Sequence, residues 1–132
     1  MRKILPLLLL IVLTATISSR AVMAQQPAAK SRVTLTIDYG DGVQKQFSRI
    51  AWQAEMTVLD VLKAASRHRR GIRFKYRSSG STAFLTQIDE LTNQGRENNW
   101  IYRVNGQLGD RSFAIYELKA GDAILWRFGR YR

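Results

Sequence analysis

Residues 99–106, Asn-Trp-Ile-Tyr-Arg-Val-Asn-Gly, carry the strongest structural signal in this chain. Trp100, Tyr102 and Val104 occupy every second position, which is the pattern of a strand with one buried face. The Asn-Gly pair that follows favours a type I′ turn, because both central residues of that turn take positive φ angles. This stretch therefore predicts a β-strand and the tight turn of a hairpin.

The sequence on both sides continues the β pattern. Residues 113–118 are predicted to form one more strand, and the turn at 120–122 leads into a terminal strand at 123–128. Upstream, residues 72–76 alternate apolar side chains with cations, and residues 83–88 predict a further short strand.

A single helix is predicted at residues 58–70. Thr57 and Asp60 resemble a capping box at its start, and the apolar residues that follow have helical spacing. Arginines fill the expected last turn, where they complement the helix dipole, and Gly71 stands where a left-handed C-cap is expected.

The chain is predicted to begin its fold with a β-hairpin. Residues 33–39 and 43–50 alternate in the manner of strands, and Gly40-Asp41-Gly42 supplies the turn between them. A hairpin, one helix and then several strands, without βαβ alternation, indicate an α+β domain. We expect the helix to pack on a mixed or antiparallel sheet built from hairpins.

Four of these segments together resemble a known family. Residues 57–62, 84–89, 99–106 and 118–126 are similar in order and spacing to the transcobalamin-like C-terminal domain, and the resemblance covers about residues 33–128. It implies a β-grasp-like fold that occurs as a module in exported proteins. In cobalamin carriers this domain forms one side of the vitamin site and a large helical domain forms the other.

The N-terminus is predicted to be a secretory signal peptide. Arg2 and Lys3 precede an apolar run at residues 4–12, and a small-residue cleavage site ends at Ala24. The run is shorter than the roughly 20 residues of a membrane-spanning helix, so cleavage is favoured over anchoring. We expect an exported protein, located in the bacterial periplasm, in the cell envelope or outside the cell.

The charge of the chain points to anionic partners. Its 21 Lys and Arg against 10 Asp and Glu give a formal net charge of +11. Removal of residues 1–24 takes away three cations and leaves +8. Residues 25–32 are predicted as a flexible lead-in to one domain at 33–132, and the absence of cysteine excludes disulfides and thiolate metal sites.

No catalytic set of residues can be assembled. His68 is the single histidine, which excludes a His-pair metal motif. Asp89 and Glu90 are adjacent, so on a strand they would point to opposite faces. Asp38 and Asp41 flank a turn, where Asp is simply a favourable residue. We expect a protein that is not an enzyme and has no cofactor or metal.

The first functional hypothesis is a binding module for a small ligand, cobalamin-like in one version, or for an envelope protein. Its aromatic side chains would line a groove or sheet surface. These are Trp100, Tyr102, Trp126 and Phe128. The alternative is that they form the core, because strands bury about half of their side chains. An exposed edge strand could also add to a partner by strand pairing.

The alternative hypothesis is a cationic module that adheres to an anionic envelope polymer, a membrane surface through its lipid headgroups, or extracellular nucleic acid. Six cations lie within eleven residues: Arg67, Arg69, Arg70, Arg73, Lys75 and Arg77. Arg127, Arg130 and Arg132 join them, and Tyr76 and Tyr131 are interleaved as stacking contacts. The competing interpretation is a solvated surface that aids solubility. Export argues against cytoplasmic nucleic acid as the partner.

Overall fold

Residues 31–131 are the part of the chain that the computed structural model describes, and they contain eight strands, one α-helix and a short 3-10 helix at Gly80–Thr82. The predicted signal peptide and most of the lead-in lie outside these residues. The strands are β1 (Arg32–Asp38), β2 (Gln44–Ala51), β3 (Phe74–Arg77), β4 (Phe84–Ile88), β5 (Leu91–Thr92), β6 (Asn99–Val104), β7 (Gln107–Leu108) and β8 (Ala123–Gly129), and the helix is α1 (Val58–Ser66).

The strands form two sheets. The larger has the order β2-β1-β8-β6-β7, in which β1 and β8 run parallel and the other neighbours are antiparallel. The smaller is the antiparallel sheet β3-β4-β5. The predicted α+β class, with one helix and with mixed and antiparallel sheets, is confirmed. Within the described residues, no helix has the length and apolar character needed to span a bilayer.

The core lies on one face of the large sheet, because alternate residues of its central strands point there. Val33, Leu35 and Ile37 of β1 have no exposed surface. The helix contributes a stripe at three- and four-residue spacing, formed by Val58, Val61, Leu62 and Ala65.

The helix begins as predicted and ends earlier. The Oγ1 of Thr57 accepts the Asp60 N–H at 3.3 Å, and the Asp60 carboxylate accepts the Thr57 N–H at 2.9 Å, so the capping box is confirmed. The expected end near Arg70 is wrong, because α1 ends at Ser66 and its last carbonyls are taken by shorter i to i+3 hydrogen bonds. The three arginines expected in the last turn lie beyond the helix.

Gly71 is needed for a different reason from the one predicted. It does not lie among the residues with positive φ. A Cβ added there would stand 2.2 Å from the Ala65 carbonyl oxygen and 2.7 Å from that of His68. The position requires glycine because backbone approaches it closely, and the predicted left-handed cap is corrected.

The strand predicted at residues 113–118 is not formed. The carbonyl of Tyr116 accepts the Val58 N–H at 3.1 Å, and the carbonyl of Phe113 accepts the Leu59 N–H at 3.0 Å. These N–H groups belong to the first turn of α1 and have no partner within the helix. The segment therefore folds as a turn over the helix start instead of joining a ladder.

The turn after β6 is confirmed as type I′. Asn105 and Gly106 have φ angles of 51° and 80°. The turn brings β7 back against the end of β6.

Candidate functional site

The four aromatic residues proposed as ligand contacts lie in the core. Trp100, Tyr102, Trp126 and Phe128 are between 2% and 8% exposed. Across the β6–β8 ladder, Trp100 faces Phe128 and Tyr102 faces Trp126, with ring centroids 5.2 and 5.1 Å apart. They build the interior, which is the alternative that the sequence left open, so a ligand could reach them only if the core opened.

Polar atoms of these rings are directed at the protein itself. The indole N–H of Trp100 donates to the Leu91 carbonyl at 2.8 Å, and the Tyr102 hydroxyl donates to the Arg111 carbonyl. Burial, reinforced by the charge of Asp110, raises the pKa of Tyr102 to about 12. The indole N–H of Trp126 is buried without a hydrogen-bond partner among residues 31–131. None of these groups is presented to solvent for recognition.

The six cations proposed as an anion site, which we call the basic cluster, are all exposed. Arg67, Arg69 and Arg70 lie in the turns between α1 and Gly71. The others follow on the segment that enters and forms β3. They are Arg73, Lys75 and Arg77. The cluster therefore occupies one continuous stretch of exposed backbone.

Only one member of the basic cluster is paired within the described residues. The Arg73 guanidinium lies 2.5 Å from the Glu90 carboxylate, and both side chains are more than 80% exposed. An ion pair that is so exposed contributes little and can rearrange. The cluster thus keeps nearly all of its charge available to a partner.

Aromatic rings border the basic cluster. The Arg77 guanidinium lies 5.0 Å from the ring centroid of Phe84, its neighbour across the β3–β4 ladder, and Phe84 is 46% exposed. Tyr76 is 40% exposed and stacks on Phe74 with centroids 6.0 Å apart. Phe84 was missed at the sequence level, because only the register of β3 and β4 brings it beside the cations.

Arg127 and Arg130, two of the three C-terminal cations, belong to another surface. Arg127 alternates with buried residues of β8 and so points to the sheet face opposite the core, where it lies 3.8 Å from Asp38. Arg130 pairs with Glu97. A cavity of about 530 Å³ is lined by Arg103, Arg127 and Arg130. Arg132 lies outside the described residues. Tyr131 is 71% exposed. Arg127 and Arg130 therefore do not extend the basic cluster.

Asp89 and Glu90 serve different partners. The Asp89 carboxylate accepts the Tyr39 hydroxyl, the Lys45 ammonium at 3.2 Å and the Arg73 N–H at 3.0 Å. Burial raises the pKa of Asp89, but these hydrogen bonds and the charge of Lys45 outweigh it and the net pKa is lowered. Asp89 therefore links the first hairpin to the β3–β4 sheet.

Metal-ligating side chains do not cluster within the described residues. Residues 31–131 contain no group of three His, Cys, Asp or Glu side chains that could hold a metal ion. His68, the single histidine, packs its ring edge-on to Phe47 and accepts the Arg70 N–H at 3.1 Å. The residue is nevertheless exposed, and these contacts are local ones at the end of α1. What the arrangement can do is bind anions, through exposed cations with rings beside them.

Comparison with known proteins places most of this architecture in one family. Residues 55–130 match the domain of unknown function DUF4430, a segment that runs from the loop before α1 through β8. No curated protein matches the chain. Among solved structures, a protein from Ruminococcus gnavus ATCC 29149 described as a "putative metal binding protein" is similar in fold. It is 20% identical with a TM-score of 0.57, over 75% of this chain and 97% of that one.

Proposed function

The chain belongs to the DUF4430 family of domains of unknown function, and we propose that it is an exported, non-enzymatic module that binds anionic polymers. Its matched region contains the whole basic cluster and the exposed rings beside it. A binding role needs no catalytic set of residues, and the sequence predicts none.

The observation that carries the proposal is the exposure of the basic cluster. Six cations stand in eleven consecutive positions, and five of them have no ion pair within the described residues. A surface that served only solubility would alternate both signs of charge. This surface concentrates one sign and places exposed rings within reach, which supports binding to a charged chain with stackable or apolar parts.

The export that the sequence predicts also supports the proposal. The signal peptide predicted at residues 1–24 lies outside the described residues, so export rests on the sequence. An exported protein meets anionic envelope polymers, lipid headgroups and extracellular nucleic acid, and these share the charged oxygens that arginine and lysine recognise.

Retention on immobilised heparin tests the basic cluster. We expect the variant with Arg69, Arg70, Arg73 and Lys75 replaced by Gln to elute at clearly lower salt than the natural protein. The matched control replaces Arg32, Arg96, Arg103 and Lys119 by Gln. It removes the same number of charges, again three arginines and one lysine, at positions elsewhere that have no ion pair within residues 31–131. Equal elution of the two variants, both with unchanged thermal midpoints, would refute the proposal.

A cobalamin-like ligand, or a docked envelope protein, has less support. It rests on the resemblance to the transcobalamin-like C-terminal domain, and the aromatic side chains expected to contact it are buried. Titration with cobalamins while tryptophan fluorescence is followed distinguishes the two functions. A saturable change at high micromolar ligand would favour the vitamin over the polymer. Metal binding is not extended to this chain, because the likeness to the R. gnavus protein shows the fold alone.

A further inference from the structure

A groove separates β2 from α1, and Arg67 of the basic cluster is among its lining residues. Its volume is about 780 Å³. Residues 46–51 of β2 form one wall, residues 53–56 close one end, and one face of α1 forms the other wall. The groove is a concave surface of the described residues that neither hypothesis from the sequence used as a site.

We infer that this groove is a docking site for an extended peptide with acidic side chains. The first argument is the strand that borders it. β2 is the end strand of the large sheet and pairs only with β1 among the described strands. Its outer N–H and C=O groups are open to a further strand, and an extended peptide can take that place with main-chain hydrogen bonds.

A bulge in β2 sets where such pairing can occur. Val33 faces Ile50 and Leu35 faces Phe47, so two residues of β2 stand opposite one of β1. The ladder is regular along residues 44–47 and interrupted at 48–49. We assign main-chain pairing to the regular part and side-chain contacts to the rest of the groove. The bulge also limits pairing between copies of this edge.

The shape of the groove follows from the spacing along α1. Asp60, Lys63, Ala64 and Arg67 recur every three or four residues, so one face of the helix lines the groove. Ala64 has the smallest side chain of this set, so it fills the least of the groove. Phe47 and Ile50 on the β2 wall and Met56 at the closed end add apolar surface to the groove.

The charge of the groove selects an acidic peptide. Arg49, Lys63 and Arg67 line it and have no ion pair within residues 31–131. Of the two acids, Asp60 is engaged by the backbone and hydroxyl of Thr57 at 2.9 and 3.0 Å, which leaves Glu55. Acidic side chains would be attracted, and a basic peptide would be repelled.

Amide chemical shifts of the labelled protein test the inference with a defined probe, a blocked hexapeptide of alternating Glu and Val. We expect saturable shifts confined to β2 and α1, and none with the counterpart of alternating Lys and Val. Ala64→Gln should weaken binding about tenfold or more because the longer side chain fills the groove. The matched control is Ser66→Gln, which places the same side chain on an exposed helix position outside the groove.

A second variant separates this site from the polymer site. Arg49→Gln with Lys63→Gln should weaken the acidic peptide several-fold and leave heparin retention unchanged, since neither residue belongs to the basic cluster. Equal binding of the peptide to the natural protein and to Ala64→Gln would overturn the inference, as would shifts with the Lys peptide or no shifts at all. If heparin produced the same shifts in β2 and α1, the groove would be a polymer site and the inference would also be wrong.

Discussion

At Gly71 the chain turns back against the end of α1, so closely that a Cβ would stand 2.2 Å from the Ala65 carbonyl oxygen. We expect Gly71→Ala to lower the free energy of unfolding by roughly 2–3 kcal/mol, because the backbone around it must shift. The control is Gly129→Ala, which has no atom within 4 Å of its added Cβ. Urea unfolding of both variants is the measurement, and equal midpoints would contradict the proposed crowding.

The Asp89 carboxylate makes stability depend on pH. Its pKa in the folded protein is lowered, so the stability it contributes is present above its unfolded value of about 4 and is lost as the pH falls through the folded value. We expect Asp89→Asn to lower the free energy of unfolding by about 2 kcal/mol at pH 7. The free energy of unfolding of this variant should also fall less steeply as the pH is lowered. The pKa of Tyr39 is raised by burial, by the hydrogen bond that its hydroxyl donates to Asp89, and by the negative charge of Asp89.

Chemical denaturation at several pH values checks this expectation. Glu90→Gln is the control, since that side chain is 83% exposed and its ion pair should contribute less than about 1 kcal/mol. If Asp89→Asn and the natural protein lost stability in parallel between pH 6 and 3, the carboxylate would not carry the dependence.

These residues also show where prediction from sequence stops. The place of Gly71 at the end of a helix could be predicted, because helix ends favour glycine. Its reason could not, since the crowding comes from carbonyls whose positions depend on where α1 ends. The linking role of Asp89 could not be predicted, because its partners Tyr39 and Lys45 are more than 40 positions away in the sequence.

Among the elements, the β6–β7 turn does more than reverse the chain. The Asn105 side chain accepts the Ala123 N–H at 2.9 Å and donates to the Asp122 carboxylate at 2.8 Å, which joins this turn to the start of β8. We expect Asn105→Ala to lower stability by about 2 kcal/mol through lost hydrogen bonds and a positive φ. Asn105→Gly adopts the positive φ without strain and loses only the hydrogen bonds. Its stability should therefore lie between that of the natural protein and that of Asn105→Ala. Thermal unfolding ranks the three proteins, and a different order would contradict this account.

The strands with alternating patterns were predictable, since periodicity acts locally. Residues 113–118 were not, because their carbonyls are used by the first turn of α1, more than 50 positions earlier. The early end of α1 is similar: the arginines after Ser66 favour a helix end but do not fix the residue at which the helix stops. Competition for backbone hydrogen bonds decided both cases.

At the scale of the whole molecule, the sequence showed how much positive charge there is and the fold determined where it lies. Arg127 and the basic cluster looked alike as cations in the sequence. The alternation of β8 turns Arg127 to the face opposite the core, while the basic cluster follows the helix end and β3. The face of a sheet on which a charge lies depends on the direction and register of the strand. The sequence could therefore predict only the part of the candidate site whose residues are neighbours along the chain.

The salt dependence of binding to duplex DNA, used as a phosphate polymer, distinguishes the effect of net charge from the effect of the basic cluster. If all six cations of the basic cluster contact phosphates, the slope of log affinity against log salt should be about −5, and about −2 when four are replaced by Gln. The control at Arg32, Arg96, Arg103 and Lys119 loses the same net charge and should keep a slope near −5, because counterions are released only where phosphates are contacted. Long-range attraction falls equally in both variants and affects their association rates alike. Equal slopes for the two variants would mean that net charge, and not the basic cluster, governs binding.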